Sequence, residues 1–398
     1  MASLLLAIIY LAFISLGLPD SLLGSAWPVM RQQFQVPLYM AGVIAMIIST
    51  GTIISSLNSD RLTKKFGAGL VTAVSTGITA LAMLGFSLSG SITALCIIAL
   101  PYGLGAGAID AALNNYLALH YNSRQMSWLH CFWGLGCTVS PYIMGHFISR
   151  GNNWSGGYQA VAIVQAVLTL ILFLSLPMWK KRNDEPDPSL PVSDADGTGP
   201  TSDNRVLRLS DILKLKGVPY VLLAFLCYCA VEGTAGLWAS SYLVEVRQVS
   251  TETAARFASL FYIGITVGRF FSGLIADRLG DKNMIRLGIA IMVIGILMIL
   301  MPFSSSLPAL SGLIIVGLGC APIYPSIIHA TPANFGAENS QAVIGVQMAS
   351  AYTGSLIMPP LFGLIANHIS VGLYPIFLMV FAILVFVLTE TLNKKLKK

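Results

Sequence analysis

Stretches of about 20 apolar residues recur along almost the whole of this 398-residue chain, and no other feature constrains its fold as much. In hydrocarbon, each backbone N–H and C=O must be satisfied within the protein, and a segment crossing by itself does this as a helix. Composition agrees: 55% of residues are hydrophobic and 10% charged, against about 25% charged in an average soluble domain. The chain therefore reads as an all-α integral membrane protein. Spans are predicted near 4–25, 36–58, 68–87, 91–119, 127–148, 156–178, 218–243, 252–276, 283–303, 306–332, 338–366 and 371–390, twelve in all. No A-x-A cleavage pattern follows the first run, so Met1 onward reads as mature chain.

Between Trp179 and Gly217 the composition turns to Pro, Asp, Ser and Gly, which cannot bury a core. This predicts a six-helix bundle over 1–178, a linker over 179–217 and a second six-helix bundle over 218–398. Within the linker, LSDILKL has the pattern of a short amphipathic helix. The net charge of +6 does not point to nucleic acid, because the Lys and Arg residues sort by loop. Most of the 23 fall in alternate loops and the C-terminal tail, including Arg61, Lys64, Lys65, Arg124, Lys180, Lys181, Arg278, Lys282 and Lys394. The positive-inside rule then predicts a multi-pass protein of the cell (inner) membrane with both termini cytoplasmic. All six cysteines lie in predicted spans, where neither a disulfide framework nor a metal site is expected.

Inside the fourth span, PYGLGAGAIDAALNNYLALHY carries Asp110, Asn114 and Asn115. Gly103, Gly107, Asp110 and Asn114 share one helical face, two small residues for close helix contact beside two polar ones. A charge at mid-membrane costs at least roughly 2.5 kcal/mol, so this face must meet protein or water. The other ionisable residues well inside spans are Asp20, His130, Glu232 and Arg269. No nucleophile, base and oxyanion site assemble among them, and the glycines from Gly103 to Gly107 do not match a dinucleotide loop, so neither an enzyme nor a cofactor is expected. Burial takes hydration from a charged carboxyl, which lets Asp110 or Asp20 gain and lose a proton in turn; permanent hydrogen bonding to a neighbouring helix is the alternative. Glu232 and Arg269 suit a buried pair, as gate, substrate anchor or structural contact.

The loops after the second and eighth spans repeat a motif, Ser59-Asp60-Arg61-Leu62 and Ala276-Asp277-Arg278-Leu279. With Gly273 and Gly280, the second copy resembles the Gly-x-x-x-Asp-Arg-x-Gly signature of the major facilitator superfamily; Ser56 and Thr63 replace the glycines in the first copy. The resemblance implies two six-helix bundles around a central site. It also implies that Asp60, Arg61, Asp277 and Arg278, with Arg269 further in, help to gate the cytoplasmic side.

The stretch from Gly103 to Gly145 is most similar to the fucose permease branch of sugar:proton symporters, and YCAVEGTAGLW, GCAPIYP and GVQMASAYTG also read like it. That likeness implies Asp110 in proton coupling and His130 in substrate binding. Asp20 is the candidate for the branch's acid in the first helix, one turn earlier relative to Pro28. Sugars stack their C–H faces on aromatic rings and exchange hydrogen bonds with His, Asn, Gln and carboxylates, so Asn114, Trp133, Glu232, Trp238 and Gln347 are the expected companions. The reading is a monomeric importer of a small polyhydroxylated solute with protons or sodium. An efflux antiporter for amphipathic compounds and a non-transporting sensor on the same fold are the alternatives.

Overall fold

The computed structural model describes residues 2–37, 39–151, 153–183, 207–249, 251–301 and 305–396. In the first half the helices are α1 (Ala2–Asp20), α2 (Leu22–Phe34), α3 (Met40–Phe66), α4 (Ala68–Leu88), α5 (Ile92–His120), α6 (Ser123–Ile148) and α7 (Trp154–Asn183). The second half contains α8 (Leu209–Lys214), α9 (Val218–Glu245), α10 (Thr251–Leu279), α11 (Asp281–Leu300), α12 (Leu307–Cys320), α13 (Ile323–His329), α14 (Thr331–Phe335), α15 (Ala337–His368) and α16 (Tyr374–Leu396). Among the described residues 11 helical segments are long and apolar enough to cross a membrane, counting α1 with α2 and α12 with α13 as one each. The twelfth crossing is α6, whose 26 residues include His130 and His146 and are less apolar. The expected linker falls largely outside the described residues, at 184–206; within its described end, α8 occupies the expected LSDILK stretch.

Start and stop signals are local. Ser91 accepts the N–H of Ala94 at 3.2 Å and opens α5, while the N–H of Asn122 bonds the Gln125 side chain at 3.2 Å at the head of α6. The first span breaks at Ser21, between Pro19 and Pro28, and the tenth breaks at Pro322. Pro359 and Pro360, by contrast, lie inside a continuous α15. Trp27, Trp154 and Trp179 are packed in the protein at 3–4% exposure.

Within the first bundle α3 packs on α5, α4 on α5 and α7, and α1 on α6; within the second α9 packs on α15 and α16, and α12 on α10 and α11. Two seams join the bundles, α3 against α15 and α6 against α10. Small residues set the close approaches. A Cβ on Gly103 or Gly107 would collide with the carbonyls of Ile48 and Thr52 on α3, and one on Gly345 with the carbonyl of Ser56 across the seam. Where the first Asp-Arg motif has Ser56 in place of glycine, the opposite helix thus supplies the missing glycine.

Gly107→Val should cost about 1–3 kcal/mol by overpacking the α3–α5 contact. Gly42→Val on the same α3, where nothing lies within 4 Å, should be neutral. Thermal unfolding in detergent checks both, and equal melting temperatures for the two variants would contradict the packing.

Candidate functional site

Between the bundles lies a cavity of about 310 Å³. The first bundle contributes Phe13, Asp20, Tyr102, Asp110, His130 and Trp133, and the second contributes Glu232, Arg269, Tyr324 and Tyr352. Asp20 ends α1 where the span breaks, so its carboxylate stands clear of the helix and is exposed in the cavity. It accepts hydrogen bonds from Trp133 Nε1 at 2.9 Å and Tyr102 Oη at 3.1 Å. Tyr102 and Asp110 are eight residues apart on α5, about 12 Å along the helix axis, so one helix carries both the partner of Asp20 and the second acid.

Asp110 is 5% exposed and fully engaged. Its Oδ1 accepts from Asn114 Nδ2 at 2.7 Å and its Oδ2 from Tyr352 Oη, on the other bundle, also at 2.7 Å. With its amide nitrogen turned to Asp110, Asn114 presents Oδ1 to His130 Nε2 at 3.0 Å, so that ring nitrogen carries the proton. The imidazole stands edge-on to Phe13 and Tyr324, with centroids 5.5 and 4.8 Å away. Arg269 lies 3.8 Å from Glu232, donates to the His130 carbonyl at 3.4 Å, and holds its guanidinium 5.4 Å from the Trp133 ring. Among the described residues its Nε is buried and has no hydrogen-bond partner.

Asp20, Asp110, His130, Trp133 and Glu232 thus line one cavity. Asn114 stands just behind it, joining Asp110 to His130. Trp238 and Gln347 do not line it: Trp238 donates to the Pro359 carbonyl at 2.9 Å, and Gln347 is fully buried, accepting from Thr331 at 3.0 Å. They lie six residues from Glu232 and five from Tyr352, which turns each side chain about 120–140° from its lining neighbour. Arg269 belongs to this cavity rather than to the gate. The sequence reading missed Tyr102, Tyr324 and Tyr352, since a tyrosine in an apolar span carries no signal until a partner faces it.

The charged repeats lie at the helix ends of one face, and there the bundles close on each other. The second copy of the motif spans the seam: Asp277 accepts the Arg124 backbone N–H at 3.0 Å and pairs with its side chain at 3.1 Å. Asp281 accepts from Ser123 at 2.7 Å and faces His329 Nδ1 at 2.7 Å, while His329 Nε2 meets the Tyr121 carbonyl at 3.1 Å. The α6 N-terminus is therefore seated between two carboxylates of the other bundle, where its dipole favours negative charge. The first copy does not do the same. Asp60 pairs with Lys64 of its own helix at 3.2 Å, because the facing first turn of α15, Ala-Glu-Asn-Ser-Gln, has no basic residue. Arg61 and Arg278 are exposed. Hydrogen bonds and ion pairs thus close the bundles on each other at the basic face.

The sequence signature of the Major Facilitator Superfamily matches residues 9–260 and 221–395. Over 364 residues the chain is 24% identical to the glucose/mannose transporter GlcP of Bacillus subtilis, covering 90% of this chain and 87% of that one. It is 23% identical over 288 residues to Bypass of stop codon protein 6 of Saccharomyces cerevisiae, a match over 68% of this chain but only 56% of the yeast protein. In fold it is similar to the transporter FucP in its outward conformation, with a TM-score of 0.78 at 14% identity over 97% of this chain and 98% of that one. It is also similar to the proton:xylose symporter XylE, with a TM-score of 0.77 at 11% identity over 98% and 94%. Twelve crossings in two bundles around a shared cavity, together with a family signature that matches nearly end to end, make this chain a member of the Major Facilitator Superfamily.

Proposed function

We propose that this transporter moves a small polyhydroxylated solute, of monosaccharide size, together with protons, by alternating access. The observation that carries the reading is the Asp110 constellation: a buried carboxyl held by Tyr352 of the other bundle and linked through Asn114 to a histidine in the cavity wall. As a carboxylate, Asp110 accepts from both bundles. When protonated it must donate through one oxygen, which reverses or loosens one of those bonds and so links proton uptake to the contact between the halves. His130, Trp133, Glu232 and Arg269 offer donors, acceptors and an aromatic face suited to a sugar. The names of GlcP and XylE support this substrate class.

The distribution of basic residues supports a cytoplasmic placement of the closed face and both termini, with the cavity opening outward. On this reading residues 1–178 and 218–398 are the two moving units, the segment between them is a cytoplasmic connection, and one chain suffices for transport. Asp277 and Arg124 act as the gate that must part for release.

Uptake of labelled monosaccharides into proteoliposomes with and without an imposed proton gradient tests the proposal. Gradient-driven uptake supports it; outward exchange of amphipathic cations against protons would favour an exporter instead. Asp110→Asn should abolish gradient-driven uptake while sparing counterflow, which needs no net proton movement, and full driven uptake in that variant would remove Asp110 from coupling. His130→Ala should weaken solute binding about ten- to a hundredfold, because sugar hydroxyls lose a partner. An unchanged dissociation constant would return His130 to a packing role. Asp277→Asn removes a carboxylate from the α6 N-terminus, a contact worth about 1 kcal/mol at this partly exposed position, so the closed-to-open ratio of the basic face should fall roughly fivefold. Spin-label distances across that face should lengthen, and wild-type distances would refute the gate.

A further inference from the structure

On the flank of the first bundle, away from the central cavity, α3 and α4 part over the surface of α5 and leave a groove of about 380 Å³. Its walls are apolar, with Ile54, Leu62 and Phe66 from α3 facing Leu70, Val74 and Ile78 from α4. Ile54, Phe66, Val74 and Ile78 are all exposed, so the groove faces the surroundings of the bundle and not its interior. From Phe66 to Ile54 it follows twelve residues of α3, about 18 Å, close to one leaflet of a roughly 30 Å hydrocarbon core. Asn58 folds its amide back onto the Ile54 carbonyl at 2.7 Å, which ties up one of its donors along α3.

One end of the groove is basic. Lys65 is seven residues beyond Asn58, two helical turns, and therefore lies on the groove face of α3; its ammonium is 5.1 Å from the ring of Phe66. Arg61 stands one turn before it, and both are exposed. The nearby Asp60 is committed to Lys64, so among the described residues neither Lys65 nor Arg61 has a carboxylate partner. An apolar channel one leaflet long, ending at two unpaired cations, matches a chain with an anionic head.

We propose that this groove is a specific site for an anionic phospholipid of the leaflet on the basic face. One acyl chain lies along α3 between Phe66 and Ile54, and the phosphate meets Lys65 and Arg61. The rest of the headgroup stays in water.

The test uses the full chain in detergent, titrated with dioleoyl phosphatidylglycerol or with dioleoyl phosphatidylcholine and read by native mass spectrometry. The chains are identical, so any preference reports the headgroup. Phosphatidylglycerol should be retained about twenty- to thirtyfold more strongly, the equivalent of two basic residues at an anionic surface. Lys65→Gln should cut this preference about fivefold, and Lys65→Gln with Arg61→Gln should abolish it. Val74→Trp, which fills the groove from a membrane-facing position, should release both lipids, while Ile163→Trp, a membrane-facing position on α7 with 59% exposure, should release neither. Equal retention of the two lipids by the unmodified chain, an undiminished preference in K65Q, or phosphatidylglycerol that survives V74W would each overturn the site.

Discussion

A carboxyl group inside a bilayer-spanning helix has to be met by donors, and here the donors of Asp110 come from both bundles. Asn114 reaches it from one turn away on the same helix, while Tyr352 reaches it from the opposite half. The close approach of α5 to α3, fixed by Gly103 and Gly107, places the acid's helix deep in the bundle while the acid itself faces the cavity. Without that approach a cavity wall containing Asp110 and His130 would not form. The polar centre and the glycine face are thus one design on one helix.

The two seams between the bundles are built on the same plan with different parts. At α3–α15 a glycine sits on the second bundle and meets the Ser56 carbonyl. At α6–α10 the glycine is Gly273, also on the second bundle, and the indole of Trp128 fills the space beside it. The repeated motif therefore places small residues where the halves meet, while the polar contacts have diverged. One copy reaches across to Arg124, and the other closes on its own helix.

The spans, the division into halves and the short helix at Leu209–Lys214 were legible because each rests on a local property, namely a run of apolar residues, a change of composition or a local amphipathic pattern. The membrane acids and His130 were legible for a related reason: an ionisable group in hydrocarbon is costly wherever it stands, so its presence alone is a signal. Tyrosines give no such signal, which is why Tyr352 escaped notice although it holds the central acid. Trp238 and Gln347 have suitable chemistry, but the rotation of their helices turns them into the second bundle. Arg124 and Asp281 fell in predicted loops and His329 near the end of a predicted span, and their partners are set by how α6 meets α10 and α11, a tertiary fact no single segment encodes.

The unequal seams have an electrical consequence. At its basic end the α6–α10 seam is held by Arg124 with Asp277, an exposed ion pair, whereas the α3–α15 side is held by neutral bonds from Ser340 to Asn115 and from Gln341 to Ser59. Dissolved ions screen the first kind and leave the second largely untouched. The two sides of the closed face therefore answer to different variables, one to ionic strength and the other to packing. Raising salt would weaken the contact at one edge of the face and leave the other edge in place.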